Sequence, residues 1–167
     1  MFSRHDLKSG ETPRHHAPSA DPDDAASATV EGGLIGHFKS DHAALVEQLR
    51  QIEDRLLHGQ FGEIPPRLEA FRDHLQAHLD EESEKFYAPL HVRGEHDPGA
   101  SQAVAQEETR MVGIARLVLI FTKRYIGTGV GAHNRDAFAR DLDVIASLLV
   151  DRIHTEESTL YPLYCPD

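Results

Sequence analysis

Ionisable residues interrupt the apolar pattern of this chain at a few positions: His42, His78 with Glu82, Glu108, and Arg152 with Glu156. Imidazole suits iron, zinc and manganese, and carboxylates bridge hard cations, so such residues on facing helices are how helical bundles hold iron or manganese. His78 and Glu82 are one helical turn apart on one face, so one metal could touch both or Glu82 could bridge two. His74 lies one turn before His78, as an extra ligand or as a hydrogen-bond partner of one. The candidate metal ligands are therefore His42, His74, His78, Glu82, Glu108 and Glu156.

The elements that would position them follow from periodicity. Leu34, Phe38, His42, Leu45, Leu49, Ile52 and Leu56 step by three or four residues, the spacing of one buried helical stripe. Two glycines between His58 and Ile64 end that helix near Leu57, and Pro65 with Pro66 suits the first turn of the next. The second stripe reads Leu68, Phe71, Leu75, His78, Glu82, Phe86, and the stretch RGEHDPGAS breaks it. Ser101 can cap a third helix with the stripe Val104, Glu108, Met111, Ala115, Val118, Phe121, Tyr125, ended by Gly127, Gly129 and Gly131. A fourth runs from about Asn134 to Pro162 through Phe138, Leu142, Ile145, Leu149, Arg152, Glu156 and Leu160.

Four amphipathic helices with loops of moderate length predict an all-α protein, an up-down antiparallel four-helix bundle over residues 31–167. Residues 1–30 are rich in Pro, Ser, Ala and Asp and nearly free of large apolar groups; they predict a flexible tail or a loosely packed arm. EESEKFYAPL in the second helix is similar to EESTLYPL in the fourth, a hint of internal symmetry. Counting from the connecting loops, His42, His78, Glu82, Glu108, Arg152 and Glu156 fall at one height of the bundle interior, to within about one turn. Buried ionisable groups are rare without partners, so their convergence is the strongest signal in the sequence. Glu108 and Arg152 have a second reading, a buried ion pair that fixes helix register. His37 is expected beside the stripe with Asp41, and His154 to point away from the layer.

Composition narrows the partners. The 167 residues hold 28 Asp or Glu against 17 Lys or Arg, a net charge of −11, with 12 His. Phosphate backbones and anionic lipid headgroups repel such a chain, so neither nucleic acid nor a membrane surface is an expected partner. The single cysteine, Cys165, allows no internal disulfide, and no segment has the apolar run of a signal peptide or a membrane span; a cytoplasmic location is the expectation. Cys165 has no evident base partner and the serines lie on caps and loops, so no enzyme is expected.

DHAALVEQL (Asp41 to Leu49) and HLDEESEKFYAPL (His78 to Leu90), the latter of the form H-x-x-x-E followed by an aromatic and Pro, resemble motifs of the hemerythrin-like (HHE cation-binding) family. The resemblance covers about residues 34–163. It implies a four-helix bundle holding a non-haem di-iron centre that binds dioxygen, or in relatives takes part in nitric-oxide and iron handling or sensing. It makes His42, His78 and Glu82 ligands, with Glu82 bridging. Two departures stand out: Glu107-Glu108-Thr109-Arg110-Met111 where the family shows E-H-x-x-apolar, and Arg152 where a His precedes the bridging Glu. Arg has no lone pair to give a metal.

With neutral histidines the layer carries Glu82, Glu108 and Glu156 against Arg152, a charge that one divalent cation would neutralise. The expected function is thus iron binding, mono- or dinuclear at an atypical and incomplete di-iron site, with dioxygen or nitric oxide as ligand. The alternative is a metal-free scaffold that binds a protein partner or a second copy of itself. The segment DLDVIASLLVDRIHTEE is similar to the hemerythrin-fold regulators that bind a sigma factor without metal.

Overall fold

A computed structural model describes the backbone of residues 22–94 and 98–164 and the side chains of residues 33–92 and 101–164. Residues 1–21, most of the expected tail, lie outside the described residues. The first helix, α1, spans Pro22–Leu57, so the backbone of residues 22–30, in the expected tail or arm, is helical. Pro22 at the first position and the alanines that follow favour helix even without an apolar stripe. The remaining helices are α2 (Ile64–Glu82), α3 (Ala88–Gly94), α4 (Pro98–Thr128), α5 (Arg135–Thr155) and α6 (Tyr161–Tyr164). The described residues include no strand.

The helix ends follow local chemistry. After α1 the chain turns through Gly59, whose φ of +70° is open to glycine at little cost, and Pro65 and Pro66 open α2 where no amide donor is needed. Gly129, also at φ +70°, ends α4, and Asn134 closes the turn by accepting from Gly131 N at 2.8 Å and donating to Gly129 O at 2.9 Å. The third bundle helix begins at Pro98, one turn before the expected cap at Ser101.

α1 packs on α2 and α5, and α4 packs on the same two, giving an antiparallel four-helix bundle with α1 diagonal to α4. Two apolar clusters fill it. The larger joins Leu45, Leu49 and Ile52 of α1 to Leu68, Phe71 and Leu75 of α2, Val118 and Phe121 of α4, and Phe138, Leu142 and Leu149 of α5. The smaller gathers Phe38, Phe86, Tyr87, Leu90, Val104, Leu160, Tyr161 and Tyr164. The ionisable residues fall at the junction of the two sets, so they form a polar layer with an apolar cluster on either side.

Two irregular turns sit next to that layer. α2 continues into α3 through a widened π turn at Ser83–Tyr87, and α5 into α6 through another at Glu156–Leu160. A proline follows each, Pro89 and Pro162, and a proline in a helix offers no amide to the carbonyl four residues back and crowds it. The carbonyl so displaced at Lys85 accepts instead from the Tyr164 hydroxyl at 3.3 Å. The fourth bundle helix therefore runs on past Pro162, its expected end.

Candidate metal centre

The buried layer residues arrive on three of the four bundle helices. α1 supplies His42, α2 His78 and Glu82, and α5 Arg152 with Glu156 opening the π turn; all are almost fully buried. The imidazoles of His42 and His78 meet edge to face with centroids 4.9 Å apart. On the outer side His42 Nδ1 lies 2.9 Å from Glu157 Oε1 and His78 Nδ1 lies 3.6 Å from Asp41 Oδ2. On the inner side His42 Nε2 lies 3.5 Å from Glu156 Oε2 and His78 Nε2 lies 3.8 Å from Glu82 Oε2. At His42 the hydrogen bond to Glu157 fixes the tautomer and leaves the lone pair of Nε2 facing inward, the arrangement that metal-binding histidines use, while at His78 Asp41 stands behind Nδ1 just beyond hydrogen-bond distance.

Arg152 occupies the middle of the layer. Its Nη2 donates to Glu82 Oε2 at 2.5 Å and also contacts Glu156 Oε1. Two tyrosines complete the carboxylate contacts crosswise. Tyr87, from the α2 side, donates to Glu156 Oε1 at 3.0 Å, while Tyr161, from the α5 side, donates to Glu82 Oε1 at 3.4 Å. Each tyrosine stands five residues after a layer glutamate, Tyr87 after Glu82 and Tyr161 after Glu156. That is the step a π turn brings back to the same face. The symmetry hinted at by EESEKFYAPL and EESTLYPL is thus real in three dimensions, although Glu82 is the second glutamate of its motif and Glu156 the first.

Burial sets the protonation states. Desolvation pushes His78 down to about 4, and lowers His42 despite its opposing hydrogen bond to Glu157, so both are neutral and able to ligate at neutral pH. Desolvation raises both Tyr87 and Tyr161, which stay hydroxyl donors. It opposes the charge of Arg152, but Glu156 and Glu82 beside the guanidinium hold its pKa above the ordinary value. Burial pushes the Glu156 carboxyl up against the pull of Arg152. Several polar atoms of the layer have no hydrogen-bond partner: both ring nitrogens of His78, Glu156 Oε2, and Arg152 Nε and Nη1.

His42, His78 and Glu82 present ligand atoms within 4.8 Å of one another, the grouping a metal ion needs. Glu156 borders it through His42. His74 does not enter the layer. It is partly exposed on the flank of α2, with Nδ1 3.2 Å from Gln48 Oε1 and Nε2 4.0 Å from Asp41 Oδ1, so it touches the residue behind His78. Glu108 is also outside, paired at the surface with His91 Nε2 at 2.8 Å. The inward residue of α4 is Glu107, whose Oε2 is buried and unpartnered and whose charge adds to the upward push on Glu156.

The stripe of α4 therefore runs Val104, Glu107, Met111, Ile114, Val118, not through Glu108 and Ala115; one residue along a helix is a rotation of about 100°. Regular three-then-four spacing from Val104 carried that signal. Glu157, Asp41, Tyr87 and Tyr161 were also missed as layer contacts, because each reaches the layer from beside the stripe or after a π turn. His37 is about half exposed, 3.6 Å from Asp41 and 3.2 Å from Glu81, and His154 is exposed.

The fold and this site define a helical-bundle protein with a histidine and carboxylate centre. The chain belongs to the hemerythrin HHE cation-binding domain family, whose model matches residues 33–164. No curated protein and no solved structure matches the chain. No helix among the described residues is long and apolar enough to cross a membrane.

Proposed function

We propose that the protein binds iron in the polar layer, through His42 Nε2, His78 Nε2, Glu82 and Glu156, and uses it to bind or sense dioxygen or nitric oxide. One observation carries this reading: both buried imidazoles have a carboxylate behind one nitrogen and a layer glutamate before the other. A metal-free core has no need of that polarity, whereas a cation satisfies His78 Nε2 and Glu156 Oε2, both without partners. Imidazole with carboxylate suits iron, manganese or zinc, and iron among them supplies an open coordination position for a diatomic ligand together with redox activity. The chain's own residues hold and orient: Glu157 fixes the His42 ring, Asp41 faces the outer nitrogen of His78, Tyr87 and Tyr161 hold the carboxylates, and the apolar clusters on either side exclude water. With no nucleophile paired to a base in the layer, the protein binds its ligand and does not transform it. The single cysteine favours a reducing compartment, the cytoplasm.

Metal content of the full chain made in iron-replete medium tests the reading. Less than about a tenth of an equivalent of any transition metal, in a folded protein, overturns it. The double contact of Arg152 with Glu82 and Glu156 favours a second reading, a metal-free scaffold whose charged layer sets helix register and whose surface binds a protein partner. The same measurement separates the two.

A further inference from the structure

We propose that Arg152 is the second cation of the centre: its guanidinium takes the place that a second metal ion would need between Glu82 and Glu156, so the layer admits one metal ion and not two. The inference rests on the metal-binding reading above and specifies its stoichiometry.

The layer has two similar halves. In one, α1 contributes His42 and α2 contributes His78, one turn before Glu82. In the other, α4 contributes Glu107 and α5 contributes Arg152, one turn before Glu156. The crosswise bonds from Tyr87 to Glu156 and from Tyr161 to Glu82 relate the two halves. The first half offers His42, His78 and Glu82 as ligands. The second offers a guanidinium where the first has an imidazole, and among the described residues the other grouping able to hold a metal is on the surface, at His37, Asp41 and Glu81.

Geometry and charge agree. A carboxylate that bridges two metals must direct an oxygen at each, but Glu82 Oε2 and Glu156 Oε1 both already point at Arg152 Nη2. With their carboxylates ionised, as a bound cation would hold them, Glu82, Glu107 and Glu156 against Arg152 leave the layer with two net negative charges. One divalent ion neutralises them, while two would bury two uncompensated positive charges in a water-poor layer. Arg152 Nε and Nη1 remain unpartnered donors at nearly zero exposure, so the second half can offer hydrogen bonds to a small acceptor ligand but no coordination.

The test counts metal in the full chain, stripped with chelator and reloaded anaerobically with Mn(II), by native mass spectrometry and EPR. The expected result is one ion per chain with the uncoupled spectrum of isolated Mn(II). Arg152→Lys, which keeps the charge, should also hold one ion; Arg152→His should hold two and show an exchange-coupled spectrum. Two ions in the unmodified chain overturn the proposal and leave the metal-binding reading standing, whereas no bound ion overturns both. A folded Arg152→His that still holds one ion shows that Arg152 does not set the count. If that variant does not fold, Arg152→Gln takes its place: a second, weaker Mn(II) site supports the proposal, and its absence at millimolar Mn(II) overturns it.

Discussion

Tyr87 and Glu156 come from different helical columns and meet in the bundle interior, the phenol donating to Oε1 at 3.0 Å. The bond ties the π turn after α2 to the one after α5, and Arg152 shares the same carboxylate. Tyr87→Phe removes the donor and leaves a buried carboxylate oxygen short of a partner. In the metal-free protein this should cost about 1–3 kcal/mol, the usual penalty for such an oxygen. Tyr161→Phe, whose contacts to Glu82 and His42 are both 3.4 Å, should cost less. Urea denaturation of both variants checks the order.

Arg152→Ala should be more severe. It removes a cation in contact with two buried carboxylates, and breaking a buried pair in this way costs about 3–5 kcal/mol. Much of that loss should return when Mn(II) is added, because a metal replaces the missing positive charge. A variant as stable as the parent without metal would show that the carboxylates are not ionised in the folded layer.

The ligand set is separable by mutation. His78→Ala should abolish metal binding, since its inward nitrogen is one of the few available. His74→Ala and Glu108→Ala should leave the metal count unchanged, since both residues point away from the layer. Glu108→Ala should also change stability by less than about 0.5 kcal/mol, as expected for an exposed ion pair. Metal analysis and thermal melts of the three variants check this.

In the metal-free protein the two buried histidines make stability fall with acid, and Glu156, whose carboxyl burial pushes up, opposes them because the folded state takes up its proton first. The folded state holds His78 at about 4 against an ordinary 6.5, and His42 is lowered as well. As pH drops below 6.5 the unfolded chain takes up these protons first. The contribution is therefore complete above 6.5 and is lost as pH falls towards 4, at about 1.4 kcal/mol per pH unit for His78. Denaturation midpoints at pH 7, 6 and 5 measure the slope. His78→Gln should remove its share from the net slope; an unchanged slope in that variant would assign the acid sensitivity to other groups.

The chain's apolar periodicity, with the glycines and prolines that interrupt it, specified the all-α fold, the breaks near Leu57 and Gly129, and the convergence of His42, His78, Glu82, Arg152 and Glu156. Those features depend on spacing along one helix, which sequence displays directly. Which glutamate of the Glu107–Glu108 pair faces inward was decided by the packing of α4 on α2 and α5, a rotation that adjacent residues of equal polarity do not reveal. The crossed tyrosines were decided by the two π turns, which shift the face by one residue after Glu82 and Glu156. The place of Arg152 between two carboxylates was likewise decided in three dimensions, because its partners lie on different helices and only the assembled bundle sets which oxygen its guanidinium meets.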